Sequence, residues 1–591
     1  MLWIIIVLFT LPFALYMAML SSTFQTYITN YVASYLEKMT NSKIEIGHIY
    51  FKPFRSIELK EVYLSDDNQD TLIYLDRLET AINWIDLDNT HIWLSSVEVD
   101  SAKVYFIADS TGELNLTRFL DKIVGPDTTS VDTSSGEFVL GINKLDVKKT
   151  RFRIKSYGTE PLEKGVNFED LYLQNISLDA SDFKLVNSDV YLDIHQLSFK
   201  EQSGLYLDTL QGNYSMDSSG IQISDFKLVY DSTRIVASEQ GLLFNGFDKM
   251  SNFLDEVKLK SNIKEARIRS IDLARIVPEL AMLDFDVQMS GEITGPVSRL
   301  KGKNLKIALT DSTFINTSFS IRGLPDVENM FVMVNVHLLT GYRDDLKKLP
   351  VLLDENNEPP LPELITQFSF KGDINGFISD LSADGLITSN LGSLKTNVVY
   401  RQSDDGEIEV DGAINVFQFA IDKLTGDDQT FGKTALSAKL NSIFLPNGKF
   451  KANIDSDIRY FDFNQYRIKD IQIKGDLSEE SFDGDIVVRD SVLNMDFTGY
   501  FEYGTEQLAH RFLINLHHVD LAALKLDTDS ISQLDCDVMA NIEGLDPNEI
   551  SGSLNILDLD YKRGADSIHL HELVVDAQME NYKRSLSVKS D

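Results

Sequence analysis

From Lys43 onward, apolar and polar residues alternate with a period of two. Ile44 and Ile46 flank Glu45, Ile57 and Leu59 flank Glu58, and Val97 and Val99 flank Glu98. The beat returns at Val190, Leu192 and Ile194, where Tyr191 makes both faces apolar, and at Ile221 and Ile223. It continues through Leu283, Phe285, Val287 and Met289, then Leu305, Ile307 and Leu309, then Ile408 and Val410. Successive side chains of an extended strand point to opposite faces, so each run predicts a strand with one apolar and one solvated face. Turn formers punctuate the runs at Asp66-Asp67-Asn68, Ser110-Thr111-Gly112, Asp217 to Gly220, Asp404-Asp405-Gly406 and Asn447-Gly448. These residues supply the positive φ of tight hairpins, which predicts antiparallel pairing.

Before Lys43 the period is different. Leu2 to Leu20 carries no charge and includes Trp3, Ile4, Phe9 and Pro12. A helix of that length is about 28 Å long, close to the ~30 Å hydrocarbon core of a bilayer, so residues 1–22 are expected to form a transmembrane anchor. A cleaved signal peptide is the competing reading, although no clean Ala-x-Ala site precedes Ser21. Next, Phe24, Tyr27, Ile28, Tyr31, Val32, Tyr35, Leu36 and Met39 fall on one helical face, predicting an amphipathic helix over 23–40. Its stripe is expected to pack on the first strands. The alternative is an interfacial helix that seats the body on a bilayer.

Helical spacing recurs only at Leu114–Val124, Ile271–Met282 and Val519–Leu526. The stretch 125–136 is polar and turn-rich, a flexible loop, and 342–362 is a Pro-rich break. The remainder divides into a first β region at 41–124, a groove at 137–341 and a second groove part at 363–591 that stops without a turn or cap, as if truncated. A loose glycine-bounded unit recurs at Gly291–Gly295, Gly372–Gly376 and Gly475–Gly484. It favours one elongated, curled, solenoid-like antiparallel sheet with an open groove over separate sandwiches. The expected groove lining includes Val97, Val99, Val104, Phe106, Leu283, Phe285, Val287, Leu305, Ile307 and Leu309.

Composition narrows the functions available to such a sheet. With 91 acidic against 55 basic residues, the net charge is −36. A surface that acidic repels nucleic acid and anionic headgroups, so contact with lipid falls to apolar side chains. Cys536 is the only cysteine, which rules out an intrachain disulfide and a cysteine-rich zinc site. His517 and His518 are adjacent and point to opposite faces of a strand. His569 and His571 share a face but lack an apparent third ligand, and the aspartate clusters lack the spacing of a calcium loop. There is no phosphate-binding glycine loop, nucleophile elbow or H-E-x-x-H motif. No catalytic residue, metal or cofactor is expected.

The order of elements over residues 1–123 adds a family likeness. An apolar span and an amphipathic helix lead into Leu36-Glu-Lys-Met-Thr40, Ile44-Glu-Ile46-Gly47, Phe51-Lys-Pro-Phe54 and Ile57-Glu-Leu59-Lys-Glu-Val62. Val97-Glu-Val99 to Phe106 and Gly112-Glu-Leu-Asn115-Leu116 follow. This opening resembles that of AsmA-like proteins, including the TamB (translocation and assembly module) family. The resemblance implies a single-pass protein of the inner (plasma) membrane whose bulk lies in the periplasm of a diderm bacterium. It implies phospholipid acyl chains as cargo, carried along the groove toward the outer membrane in outer-membrane biogenesis. It also implies an outer-membrane barrel partner met through a missing C-terminal region. The alternative function is a non-catalytic scaffold for outer-membrane protein assembly or secretion.

Overall fold

The computed structural model describes residues 16–18, 20–52, 56–86, 90–124, 138–160, 162, 164–276, 278, 285–326, 328–348, 361–403, 405–503, 509–544, 551–580 and 583–591. The chain divides into two compact units, 1–309 with 348–351, and 310–347 with 352–591. Both are built mainly from β-strands, as the alternation predicts, with a few short helices between them.

The first unit opens with helix α1 (Ser22–Thr40). Ser21 caps it by accepting from the Phe24 N–H, and Asn41 ends it at φ 52°. Strands β1 (Ile44–Lys52), β2 (Ser56–Ser65), β3 (Thr71–Asp86) and β4 (His91–Ile107) then pair in antiparallel succession. Helix α2 (Asn115–Val124) crosses over, so β4 and β5 (Val139–Lys155) run parallel. A parallel pair needs such a crossover, whereas antiparallel neighbours need only a turn. Strand β6 (Asp170–Val186) and β7–β13, which lie between Asp189 and Ala308, resume antiparallel pairing of each strand with the next.

The amphipathic helix forms where expected, but only part of its expected stripe packs: Leu36 reaches the core beneath it, whereas the tyrosines do not. Gln25, Thr29 and Thr40 are buried, while Tyr27, Tyr31 and Tyr35 are 66%, 59% and 58% exposed and stack in a ladder. Phe24 and Ile28 are half-buried. The reason is that α1 meets the edge of β1, whose N–H groups need acceptors. Ile49 N–H donates to Thr29 Oγ1 at 3.1 Å, and Ile44 N–H donates to Glu37 Oε1 at 3.2 Å. Polar side chains therefore make the contact with the β1 edge, and the tyrosines of the expected stripe are left outside.

Helix α2 closes the apolar face over the first strands. Phe119 is buried with Ile44 and Leu72, and Leu36, Leu116 and Phe106 pack around them. Polar contacts pin the helix: Asn115 Nδ2 donates to the buried Asp66, Arg118 pairs with Asp109 at 2.6 Å, and Lys122 pairs with Asp67. Phe106, expected to line the groove, thus sits in a filled core.

Two of the three expected short helices differ. At Ile271–Met282 a single helical turn, Ser270–Leu273, forms among the described residues. At Val519–Leu526 no helix forms, because strand pairing continues to Asp520 and the following turns fold Leu521 and Leu524 against the strand ends.

The anchor residues Leu2, Trp3, Ile4, Phe9 and Pro12 lie outside the described residues, as do Leu283, 125–136 and most of 342–362. Leu20 is described and half-buried, in a turn that leads into α1. No helix of the described residues is long and apolar enough to cross a membrane. The expectation of a single-pass inner-membrane protein is corrected accordingly: among the described residues the one long helix at this end, α1, is amphipathic and meets the β1 edge through polar side chains.

Candidate functional site

The second unit carries β14–β18 between Phe314 and Gln402, then β19 (Ile408–Ala420), β20 (Phe431–Phe444), β21 (Phe450–Phe463) and β22 (Tyr466–Ser478). Next come β23 (Ser481–Arg489), β24 (Leu493–Glu502), β25 (Ala509–Asp520) and β26–β29 between Ser532 and Ser590. Every strand pairs antiparallel with its successor.

Register turns the alternation into continuous rows across the strands. One row runs Ile414, Ala438, Ser456, Ile473, Ile486, Phe497 and Ile514, each directly opposite the next. A second runs Val416, Leu436, Ile458, Ile471, Val488, Met495 and Leu516. The opposite face is polar: Asp411, Asn441, Asn453, Asp476, Asp483, Tyr500 and Arg511 form a matching row. A slip of one residue in any strand would exchange the two faces, so the pattern itself fixes the register.

Between these rows lies one dominated by glycine. It reads Gly412, Leu440, Ile454, Gly475, Gly484, Gly499 and Phe512. At Gly412 φ is +148°, and a Cβ there would lie 2.2 Å from the Asn397 carbonyl oxygen on the neighbouring strand. At Gly484 it would lie 2.2 Å from the Lys474 oxygen. A side chain is excluded at both, and glycines of this kind let a sheet bend sharply. The recurring glycine unit seen in the sequence has its physical cause here. Gly372 meets the same obstruction, 2.1 Å from the Asp384 oxygen, and Gly291 lies 2.7 Å from that of Asn304.

The apolar face of β19–β23 forms an open concavity of about 450 Å³. Leu436, Ala438, Leu440, Ile454, Ile458, Ile473, Phe482 and Ile486 form most of its wall, and Ser442 and Ser456 are its only polar lining. At one end it meets a closed core, where Ile468, Ile471, Val488, Val519 and Leu524 are buried. No titratable side chain enters the concavity. Further along the same face, His510 stands opposite Phe501 with ring centroids 4.3 Å apart and is fully buried. Burial pushes its pKa below the ordinary imidazole value, and neither ring nitrogen has a hydrogen-bond partner among the described residues.

The residues expected to line a groove fall in the first unit. Val97 is buried, and Val99 and Val104 are half-buried. They share a face although their numbering changes parity between them. Ser101, at φ 59°, is a bulge that absorbs one residue, and Lys149 at φ 49° does the same on β5. Leu305 is buried, Ile307 and Val287 lie half-buried, and Phe285 and Leu309 flank their strands. The concavity of the second unit lies outside that list. Its signal was the alternation in Phe431–Ile486 together with Gly475 and Gly484.

The histidine pairs behave as strand-surface residues. His571 meets Asp558 at 2.8 Å, His569 meets Asp560, and His517 meets Asp496 at 3.3 Å. No group of three or more metal-ligating side chains is assembled among the described residues.

Comparison with protein-family models, with curated proteins and with solved structures finds no match.

Proposed function

We propose that this chain is a non-catalytic carrier of phospholipid acyl chains, held along the apolar face of its curled sheet and moved toward the outer membrane. The observation that carries the reading is the concavity on β19–β23, some 450 Å³ with two serines as its only polar lining. A cavity of about 150 Å³ accommodates benzene, so the volume corresponds to roughly 18 carbons, one long acyl chain. Each methylene withdrawn from water contributes about 0.8 kcal/mol, and this face supplies that without any base, nucleophile or metal. The glycine row supports the curl, because it removes side chains where the sheet must bend. The AsmA/TamB-like opening motif supports the same reading independently.

The test is mass spectrometry of lipid retained by the purified full chain. Phospholipid or free fatty acid in stoichiometric amount is the expected result. A protein free of lipid that fails to take up a fluorescent acyl probe would overturn it. Crosslinks from the polar face to nascent outer-membrane proteins, in the absence of lipid, would favour the scaffold instead.

A further inference from the structure

The polar face of the first unit holds a site that the acyl-chain reading does not use. Where β3, β4, β5 and β6 lie side by side, Tyr74, Asp76, Ser101, Lys103, Lys149, Arg151 and Asn175 line a hollow of about 390 Å³. We propose that this hollow binds a phosphate ester.

Three cations and one carboxylate face it in a chain whose acids exceed its bases by 36. Lys103 lies over the Tyr74 ring, 5.3 Å from its centroid, and has no carboxylate partner among the described residues. Arg151 likewise has none, and its neighbour is the Tyr105 hydroxyl. Lys149 reaches Asp100 only at 3.8 Å and is 74% exposed. Arg153, two residues along the same strand, shows what a satisfied arginine looks like here. It grips Asp170 with two hydrogen bonds of 2.7 and 2.8 Å. Among the described residues, Lys103 and Arg151 are therefore left on this face without a carboxylate, as Arg153 is not.

The backbone is the second observation. Ser101, Lys149 and Asn175 are non-glycine residues at φ 59°, 49° and 52° on three neighbouring strands, and all three line the hollow. Bulges re-aim side chains and concentrate beside functional sites, and strain held in register across strands is what such a site accumulates. The parallel pairing of β4 and β5 sets Lys103 opposite Arg151, so the two cations flank one anion position. A guanidinium fork with an ammonium beside it suits phosphate oxygens, and the Ser101 hydroxyl and Asn175 amide add neutral donors. Asp76 provides an acceptor for a hydroxyl on the esterified group.

Two sources share this chemistry, a soluble phosphate ester and a lipid headgroup, and the experiment separates them. The full chain is titrated calorimetrically with inorganic phosphate and with glycerol phosphate, and is floated with phosphatidylcholine vesicles with and without phosphatidic acid. Saturable binding in either arm, weakened about tenfold or more in Lys103→Gln/Arg151→Gln and separately reduced in Lys149→Gln, is expected. Binding of glycerol phosphate identifies a soluble ester, and binding of acidic vesicles alone identifies a headgroup. Unchanged thermal melting of the variants keeps the comparison clean, since all three side chains reach solvent. Absence of binding in both arms, or equal binding by wild type and double variant, overturns the proposal.

Discussion

Replacing Ile454 by aspartate places a carboxylate in the middle of the concavity, opposite Leu440 on one side and Gly475 on the other. Ile454 is half-buried rather than sealed, so in the empty protein the new carboxylate keeps its water and the strand keeps its register. The cost falls on the ligand. A hydrated carboxylate on the wall denies contact to three or four methylenes, and at ~0.8 kcal/mol each that removes about 3 kcal/mol of binding. A loss of that size is roughly a hundredfold in affinity. The control is Asp455→Ala on the next residue, which points to the polar face and contributes only an exposed pair with Lys474 at 3.4 Å. The assay is lipid content by mass spectrometry, with displacement of a fluorescent fatty acid giving the affinity ratio. Ile454→Asp is expected to lose lipid while melting within a few degrees of wild type, and Asp455→Ala to retain it. Equal lipid content in the two variants would refute the assignment of cargo to this face.

Three further outcomes are expected. Gly412→Val should lower the stability of the second unit by about 3 kcal/mol or more, seen as a shifted thermal transition, because its Cβ would enter the Asn397 carbonyl; an unchanged transition would refute the steric argument. Thr29→Val should cost about 1–3 kcal/mol by leaving the Ile49 N–H without an acceptor at a buried edge, with faster amide exchange at Ile49 as the local readout. His510 has a folded pKa below that of the unfolded chain, so its contribution to stability is complete above about pH 6.5 and declines as the pH falls. His510→Phe should flatten that dependence in a melting-temperature profile, and a profile identical to wild type would count against it.

Much of this architecture was legible in the residues. The alternation through Leu436–Ser442 and Ala452–Ile458 states directly which face is apolar, and the fold follows it. Bulges were not legible. Ser101 and Lys149 adopt φ > 0 without being glycine or asparagine, so nothing in their chemistry announces the change of parity between Val99 and Val104. The docking of α1 was hidden for a different reason. Hydrophobic periodicity reports burial against an apolar partner, but the partner here is a strand edge that needs hydrogen-bond acceptors, and Thr29 and Glu37 supply them. The phosphate-ester site escaped because net charge averages over the chain, whereas Lys103 and Arg151 meet only once β4 and β5 run parallel.

The succession of strands, each paired with the next in sequence, has an evolutionary consequence. Deleting or duplicating one hairpin within such a run returns the chain to the same side of the sheet in the same direction, so neighbouring faces stay matched. Length can change two strands at a time with no redesign of what remains. The exception is the β4–α2–β5 crossover, where loss of a single strand would strand a helix and reverse the polarity of everything after it. Natural variants of this chain should therefore differ in hairpin number along the antiparallel runs and agree at that crossover.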